Sequence, residues 1–305
     1  MKARHFLTLK DISQETIDYL LKLATRIKKN KFLCKDLLQG KSIGMLFDKH
    51  STRTRLSFEA GINQLGGNSI YLDSKNMQLS RGETIEDTAR VLSRYLEGLI
   101  IRTFSHQTVK DFASNSSIPV INGLTDSYHP CQVLSDLFTL FELGLLKKGL
   151  KFTYIGDSNN VTSSLIIGLS KLGLDITVGC PAEYEPKEEA VKIFDKQSRS
   201  SGSRLNILND PYQAVKEADV IYTDVWVSMG DKDSRKKFEA LQMYQINKKL
   251  LSYASGSVKV MHCLPAHRGQ EITSEVMDGA NSVVWQQAEN RLHAQKALLV
   301  YIYSR

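Results

Sequence analysis

Apolar residues first recur at helical spacing over 11–29. There Ile12, Ile17, Leu20, Leu21, Leu23, Ala24 and Ile27 make one face and lysines close the far end. The pattern then breaks into short apolar runs. Ser42–Phe47 suits a buried strand, and Leu56, Phe58, Ala60, Ile62 and Leu65 mark a helix over 52–65 that Gly66-Gly67 stops. The same rhythm predicts strands at 69–73, 99–103 and 118–122, and helices at 84–96 and about 109–113. A long apolar helix follows, entered at His129-Pro130 and ending near Leu145. A lysine- and glycine-rich stretch, 144–149, reads as a hinge, and the alternation then restarts. Strands are predicted at 151–155, 174–179, 206–208, 220–223, 258–263 and 283–285, and helices at 161–172, 187–196, near 212–217 and 289–303. Such alternation implies crossover connections and mainly parallel sheets. The expected fold is α/β with two domains, each an open, mainly parallel sheet flanked by helices. Their boundaries are 1–146, with 289–305 packing back, and 147–288.

A length of 305 residues is long for one core and comfortable for two. The formal charge of +7 suits an anionic substrate, but the basic residues are spread out and no nucleic-acid module is recognisable. Cys34, Cys131, Cys180 and Cys263 lie far apart without a CxxC pair, which argues against a zinc ribbon or disulfide framework. The chain starts without a secretory apolar segment, and no apolar run reaches membrane-span length. A cytoplasmic protein with no membrane or nucleic-acid partner is expected.

Ligands of open α/β sheets gather beyond the carboxyl ends of the strands, and the unusual polar residues cluster there. Ser51, Thr52, Arg53, Thr54 and Arg55 follow one strand at a helix start, where unpaired N–H groups and arginine forks favour an oxyanion. An ordinary capped helix with solvated arginines is the other reading. Arg102 ends a strand and His129 follows another. Asn159-Asn160, Asp224 with Ser228-Met-Gly230, and His262-Cys-Leu-Pro265 do so in the second half. His129 also reads as a helix-entry residue, Asp224 as a cap and Cys263 as a core thiol. Gly156-Asp-Ser-Asn-Asn160 lacks the glycines of a dinucleotide fingerprint, and no P-loop occurs. His262 and Cys263 are strand neighbours that point to opposite faces, which disfavours a nucleophile–base pair.

Taken together, Ser51-Thr-Arg-Thr-Arg55, Arg102, His129-Pro-Cys-Gln132, Asp224-Val-Trp-Val-Ser-Met-Gly230, His262-Cys-Leu-Pro265 and Ala288-Glu-Asn-Arg-Leu-His-Ala-Gln295 resemble the ornithine carbamoyltransferases, within the aspartate/ornithine carbamoyltransferase family. The resemblance spans almost the whole chain. It implies transfer of the carbamoyl group of carbamoyl phosphate to the δ-amine of L-ornithine, giving L-citrulline and phosphate, in arginine biosynthesis or, reversed, arginine breakdown. Carbamoyl phosphate would be held by Ser51, Thr52, Arg53, Thr54, Gln78, Arg102, His129, Gln132, Cys263, Leu264 and Arg291. Ornithine would meet Asn160, Asp224, Ser228 and Met229. Arg102, His129 and Cys263 are the expected catalytic residues, with Cys263 positioning the amine rather than attacking. No metal or organic cofactor is implied. The resemblance also implies a homotrimer or an assembly of trimers, with Gln78 reaching a neighbouring site. Departures are Asp231-Lys-Asp-Ser-Arg235 after Ser-Met-Gly, Gln270 where glutamate is usual, and Gln286-Gln287 before Ala288. A different acceptor such as putrescine, or a non-catalytic relative, would keep the same fold.

Overall fold

The computed structural model describes residues 3–227 and 234–304. It divides into two compact units: the chain up to Glu142 together with the segment from Glu289 onward, and Leu143–Ala288.

In the first unit β1 (Ser42–Phe47), β2 (Asn68–Asp73), β3 (Gly98–Arg102) and β4 (Val120–Leu124) form a parallel sheet in the order β2-β1-β3-β4. Strands β1 and β3 are buried almost throughout and read as unbroken apolar runs, as strands covered on both faces must. Against them pack Val109, Phe112 and Val120, and each fully buried side chain of this kind contributes roughly 2 kcal/mol. The strand order reverses between β1 and β3. Loops leaving the two strands there run to opposite faces and open a crevice beyond their carboxyl ends.

The second unit repeats the plan with five parallel strands: β5 (Phe152–Ile155), β6 (Ile176–Gly179), β7 (Leu205–Leu208), β8 (Val220–Thr223) and β9 (Lys259–His262). Their order is β7-β6-β5-β8-β9, so the reversal falls between β5 and β8. Trp226, Tyr244, Val260, Ile272 and Val284 belong to its core.

Two sequence expectations need correction. Residues 283–285 do not form a strand; helix Val284–Tyr303 already begins there, and Val260 makes only an isolated bridge to Ser282. Val284, Gln287, Asn290, Arg291 and Ala294 are buried while Trp285 is exposed. That spacing is helical, and the apolar trio Val283-Val-Trp285 misleads only when read by itself. The first long helix is Gln14–Lys29, capped by Ser13, because 9–11 form a separate short turn closed by a Thr8–Asp11 capping box. The short helices Ser234–Leu241, Lys248–Leu251 and Ser274–Met277 carry too few apolar positions to show a period.

Candidate functional site

Beyond β1 the turn is tied down before the helix starts. The Asp48 amide donates to the Arg102 carbonyl at 2.8 Å, and the Thr103 hydroxyl donates to the Asp48 carboxylate. Lys49 is buried, paired with Asp126 and 4.3 Å from the Phe104 ring centroid. Ser51 then caps helix Thr52–Gln64, its hydroxyl accepting from the Thr54 amide at 3.1 Å. The exposed N–H groups of this first turn carry the positive end of the helix dipole.

Side chains from three other elements converge on that turn. Thr54 is buried, and its hydroxyl accepts from Arg291 Nη2 at 3.0 Å. Arg291 Nη1 donates to the Gln132 side-chain carbonyl, while Gln132 Nε2 donates to Asp136 at 2.9 Å. His129, buried at the entry to helix Pro130–Glu142, is held well below the usual histidine range. Burial is the main cause, and the charges of Arg291, Arg102 and Arg53 add to it. The imidazole is therefore neutral near pH 7, and can donate one hydrogen bond without adding a fourth charge. Arg102 reaches this group because it ends β3, next to the register shift that carries β4 from Asn122 to Leu124. The arrangement is a partly desolvated cationic pocket suited to a phosphate and to an oxygen that gains negative charge. Thr52 is exposed in the same first turn. Arg55 turns away, bonded to Glu59 at 2.9 Å and stacked 4.1 Å from the Tyr71 ring centroid. Gln78 is exposed on the short turn Gln78–Arg81 and takes no part in this hydrogen-bonded cluster.

In the second unit the reversal point carries the opposite charge. Asp224 follows β8 and is buried. Its carboxylate accepts from Asn159 Nδ2 at 2.6 Å, the Val225 amide at 2.8 Å and the Cys263 thiol at 2.8 Å. Sequence reasoning grouped Asn159 with Asn160 after a strand but gave it no role, although an Asn directly before a helix signals a cap. Its side-chain carbonyl caps helix Asn160–Lys171, accepting from the Val161 amide at 2.8 Å, while its amide group orients Asp224. Asn160 stands half-buried in the first turn of that helix. Asp157 pairs with Lys237 at 2.7 Å, which fixes helix Ser234–Leu241 beside the β5 turn. Ser228 and Met229 lie outside the described residues.

Strand β9 ends at His262 and Cys263 follows it, so the strand alternation expected to send the two side chains to opposite faces does not extend to Cys263. The His262 imidazole turns inward to Glu271, and Cys263 turns to Asp224. Among the described residues, Asp224, His262 and Cys263 bring possible metal-ligand atoms within 4.8 Å of one another. Both ring nitrogens of His262 are engaged with protein groups, and the thiol is bonded to the carboxylate. Hydrogen bonding within the protein accounts for the grouping.

Residues 4–142 match the family model for the aspartate/ornithine carbamoyltransferase carbamoyl-P binding domain, and residues 148–302 the model for the Asp/Orn binding domain. The chain is 52% identical to the ornithine carbamoyltransferase of Bacillus thuringiensis subsp. konkukian over 303 residues, covering 99% of this chain and 95% of that one. Its fold is similar to that of ornithine carbamoyltransferase from Pyrococcus furiosus, with a TM-score of 0.93, 48% identity, and coverage of 98% and 96% of the two chains. It also resembles the anabolic ornithine carbamoyltransferase of Campylobacter jejuni, with a TM-score of 0.92, 41% identity and 99% coverage of each chain.

Proposed function

The chain belongs to the aspartate/ornithine carbamoyltransferase family, and from that premise we propose how its residues carry out the transfer. The activity is that of an ornithine carbamoyltransferase: carbamoyl phosphate and L-ornithine give L-citrulline and phosphate. The observation that carries this reading is the convergence of Arg53, Arg102 and Arg291 on a buried, neutral His129 beside the first turn of helix Thr52–Gln64.

In this reading residues 1–146, with the returning segment 289–305, bind carbamoyl phosphate, and 147–288 bind ornithine. Ser51, Thr52, Arg53 and Thr54 hold the phosphate, and Arg102 and His129 polarise the carbonyl. Gln132 and Arg291 orient the carbamoyl group. Because the Gln132 oxygen already accepts from Arg291, one lone pair is left for the carbamoyl NH2. Asp224 receives the α-ammonium of ornithine, and Asn160 its α-carboxylate. The δ-amine, placed by Cys263 and the Leu264 carbonyl, gives its lone pair to the carbonyl carbon. The oxygen takes the negative charge beside Arg102, His129 and Thr54. Collapse breaks the carbon–oxygen bond to phosphate, which leaves with the electron pair and takes up the amine's surplus proton. Orientation and a fixed cationic environment supply the acceleration, and no metal or organic cofactor enters.

The assembly we propose is a homotrimer, or a set of trimers, in which exposed Gln78 serves a neighbouring site. It is supported by the apolar side chains of Leu56, Ile70, Tyr71, Val91 and Tyr95, all exposed on three elements of the first unit. Among the described residues no helix is long and apolar enough to cross a membrane, which favours a cytoplasmic enzyme. The anabolic designation of the Campylobacter relative favours arginine biosynthesis.

The test is a citrulline assay with an acceptor panel. Ornithine turns over and putrescine and aspartate do not; equal turnover of putrescine would overturn the acceptor assignment, and no turnover at millimolar substrates would favour a non-catalytic relative.

A further inference from the structure

The loop that follows β9 holds a backbone geometry that its own sequence does not favour. Leu264 has φ 60°, in the left-handed region that residues other than glycine rarely occupy. Such a conformation persists where surrounding bonds over-determine it. Those bonds come from His262. Its Nδ1 accepts from the Leu264 amide at 2.8 Å, so that nitrogen carries no proton, and its Nε2–H donates to Glu271 Oε1 at 3.1 Å. Both side chains are fully buried. Glu271 Oε1 also accepts from the His267 amide at 2.5 Å, so one buried carboxylate gathers both ends of the turn 262–267. Behind the ring, Gln287 fixes the strand end: its carbonyl accepts from the His262 amide at 2.9 Å, and its amide donates to the Tyr222 hydroxyl at 3.2 Å.

The peptide whose N–H the imidazole holds links Cys263 to Leu264. We propose that His262 is a positioning residue for the acceptor amine, and that Glu271 and Gln287 support it. The buried imidazole locks the Cys263–Leu264 peptide so that the thiol and the Leu264 carbonyl meet the amine together. This rests on the reading of Cys263 and Leu264 as contacts of the δ-amine. It assigns roles to His262, Glu271 and Gln287, none of which touches substrate. Fixing the tautomer is the carboxylate's part: with Nε2–H committed to Glu271, Nδ1 must be the acceptor.

Two substitutions separate this role from plain core packing. An asparagine side-chain carbonyl bonds the amide two residues on, the same contact Nδ1 makes here, whereas glutamine keeps an N–H for Glu271 but not an acceptor at the Nδ1 position. His262→Gln is expected to raise the KM for ornithine about tenfold or more, the loss of one hydrogen bond that fixes the acceptor groups, with the KM for carbamoyl phosphate within about twofold. His262→Asn is expected to restore the ornithine KM to within about threefold of wild type. Peptide-level amide hydrogen exchange should show faster exchange around Leu264 in His262→Gln and wild-type exchange in His262→Asn. An unchanged ornithine KM in His262→Gln, or equal impairment of both variants together with equally lowered melting temperatures, would overturn the proposal. A wild-type enzyme that forms no citrulline would instead remove the acceptor reading. The exchange data would still decide whether the imidazole holds the peptide.

Discussion

The two sheets reverse their strand order in the same way and use the reversal for opposite electrostatics. At β1/β3 the groups that gather are Arg53, Arg102 and Arg291, and burial among them keeps His129 neutral. At β5/β8 the group is the carboxylate of Asp224, satisfied by an amide side chain, a backbone N–H and a thiol, while Asp157 after β5 is paired with Lys237. The first arrangement leaves several cations beside each other, a state that an anionic ligand relieves. The second is nearly complete: three donors fill three of the carboxylate's about four acceptor positions, so a cationic ligand takes the remaining one or exchanges for an existing donor. The thiol is the obvious one to yield, because S–H is the weakest donor of the three. One topology thus supplies the place, and the residues after each strand decide which charge it receives.

Removing a cation is expected to have the largest effect. Arg53→Ala should weaken carbamoyl phosphate binding by about ten- to a hundredfold, the range of a lost charged hydrogen bond, with the ornithine KM little changed. Isothermal titration with carbamoyl phosphate or inorganic phosphate measures it. Unchanged affinity would remove the phosphate role from that helix start. Asp224→Ala tests the other pole: the ornithine KM should rise about tenfold or more while carbamoyl phosphate binding stays intact. A matching loss of phosphate affinity would mean that the two poles are not separate.

Asn159→Ala sharpens the contrast, because it removes a donor to Asp224 and a helix cap at once. About fivefold in ornithine KM and about 1 kcal/mol of stability are expected, read by kinetics and by denaturant midpoint. Loss of stability alone would confine Asn159 to capping.

The smallest effect concerns pH. The native His129 value lies below that of the unfolded chain, near 6.5. Between the two values the unfolded state binds the proton and the native state does not, so stability falls as pH drops below about 6.5 and is flat above it. His293, also lowered by burial, acts in the same direction. His129→Gln should therefore make the acid slope shallower by at most about 1.4 kcal/mol per pH unit, without abolishing it. A slope identical to wild type would mean that His129 titrates normally in the native state.

Much of this was legible from residue order. Buried strands such as Ser42–Phe47 announce themselves as apolar runs, and a polar residue just after one marks a sheet's carboxyl edge, as with Arg102 and Asp224. Ser51 reads as a cap because capping is local. Pairings were not legible. Arg291 meets Thr54 and Gln132 across more than half the chain, and Glu271 meets His262 through a turn whose shape no periodicity encodes. The false strand at 283–285 has the same root, since three apolar letters cannot show which period they belong to.

Helix Val284–Tyr303 supplies Arg291 to the first unit, and so does its buried Lys296, whose ammonium donates to the Lys31 carbonyl and to Gln64 at 3.0 Å. During synthesis, everything up to Glu142 leaves the ribosome long before these residues exist. Thr54 and Gln132 must wait for their partner while the whole of Leu143–Ala288 is made. The second unit is a continuous segment and can close first, although it is translated last of the two beginnings. The nascent first unit is then an incomplete core in need of its final turns. A chain stopped at Ala288 would keep the carboxylate pole and lose the arginine that ties the phosphate pole together.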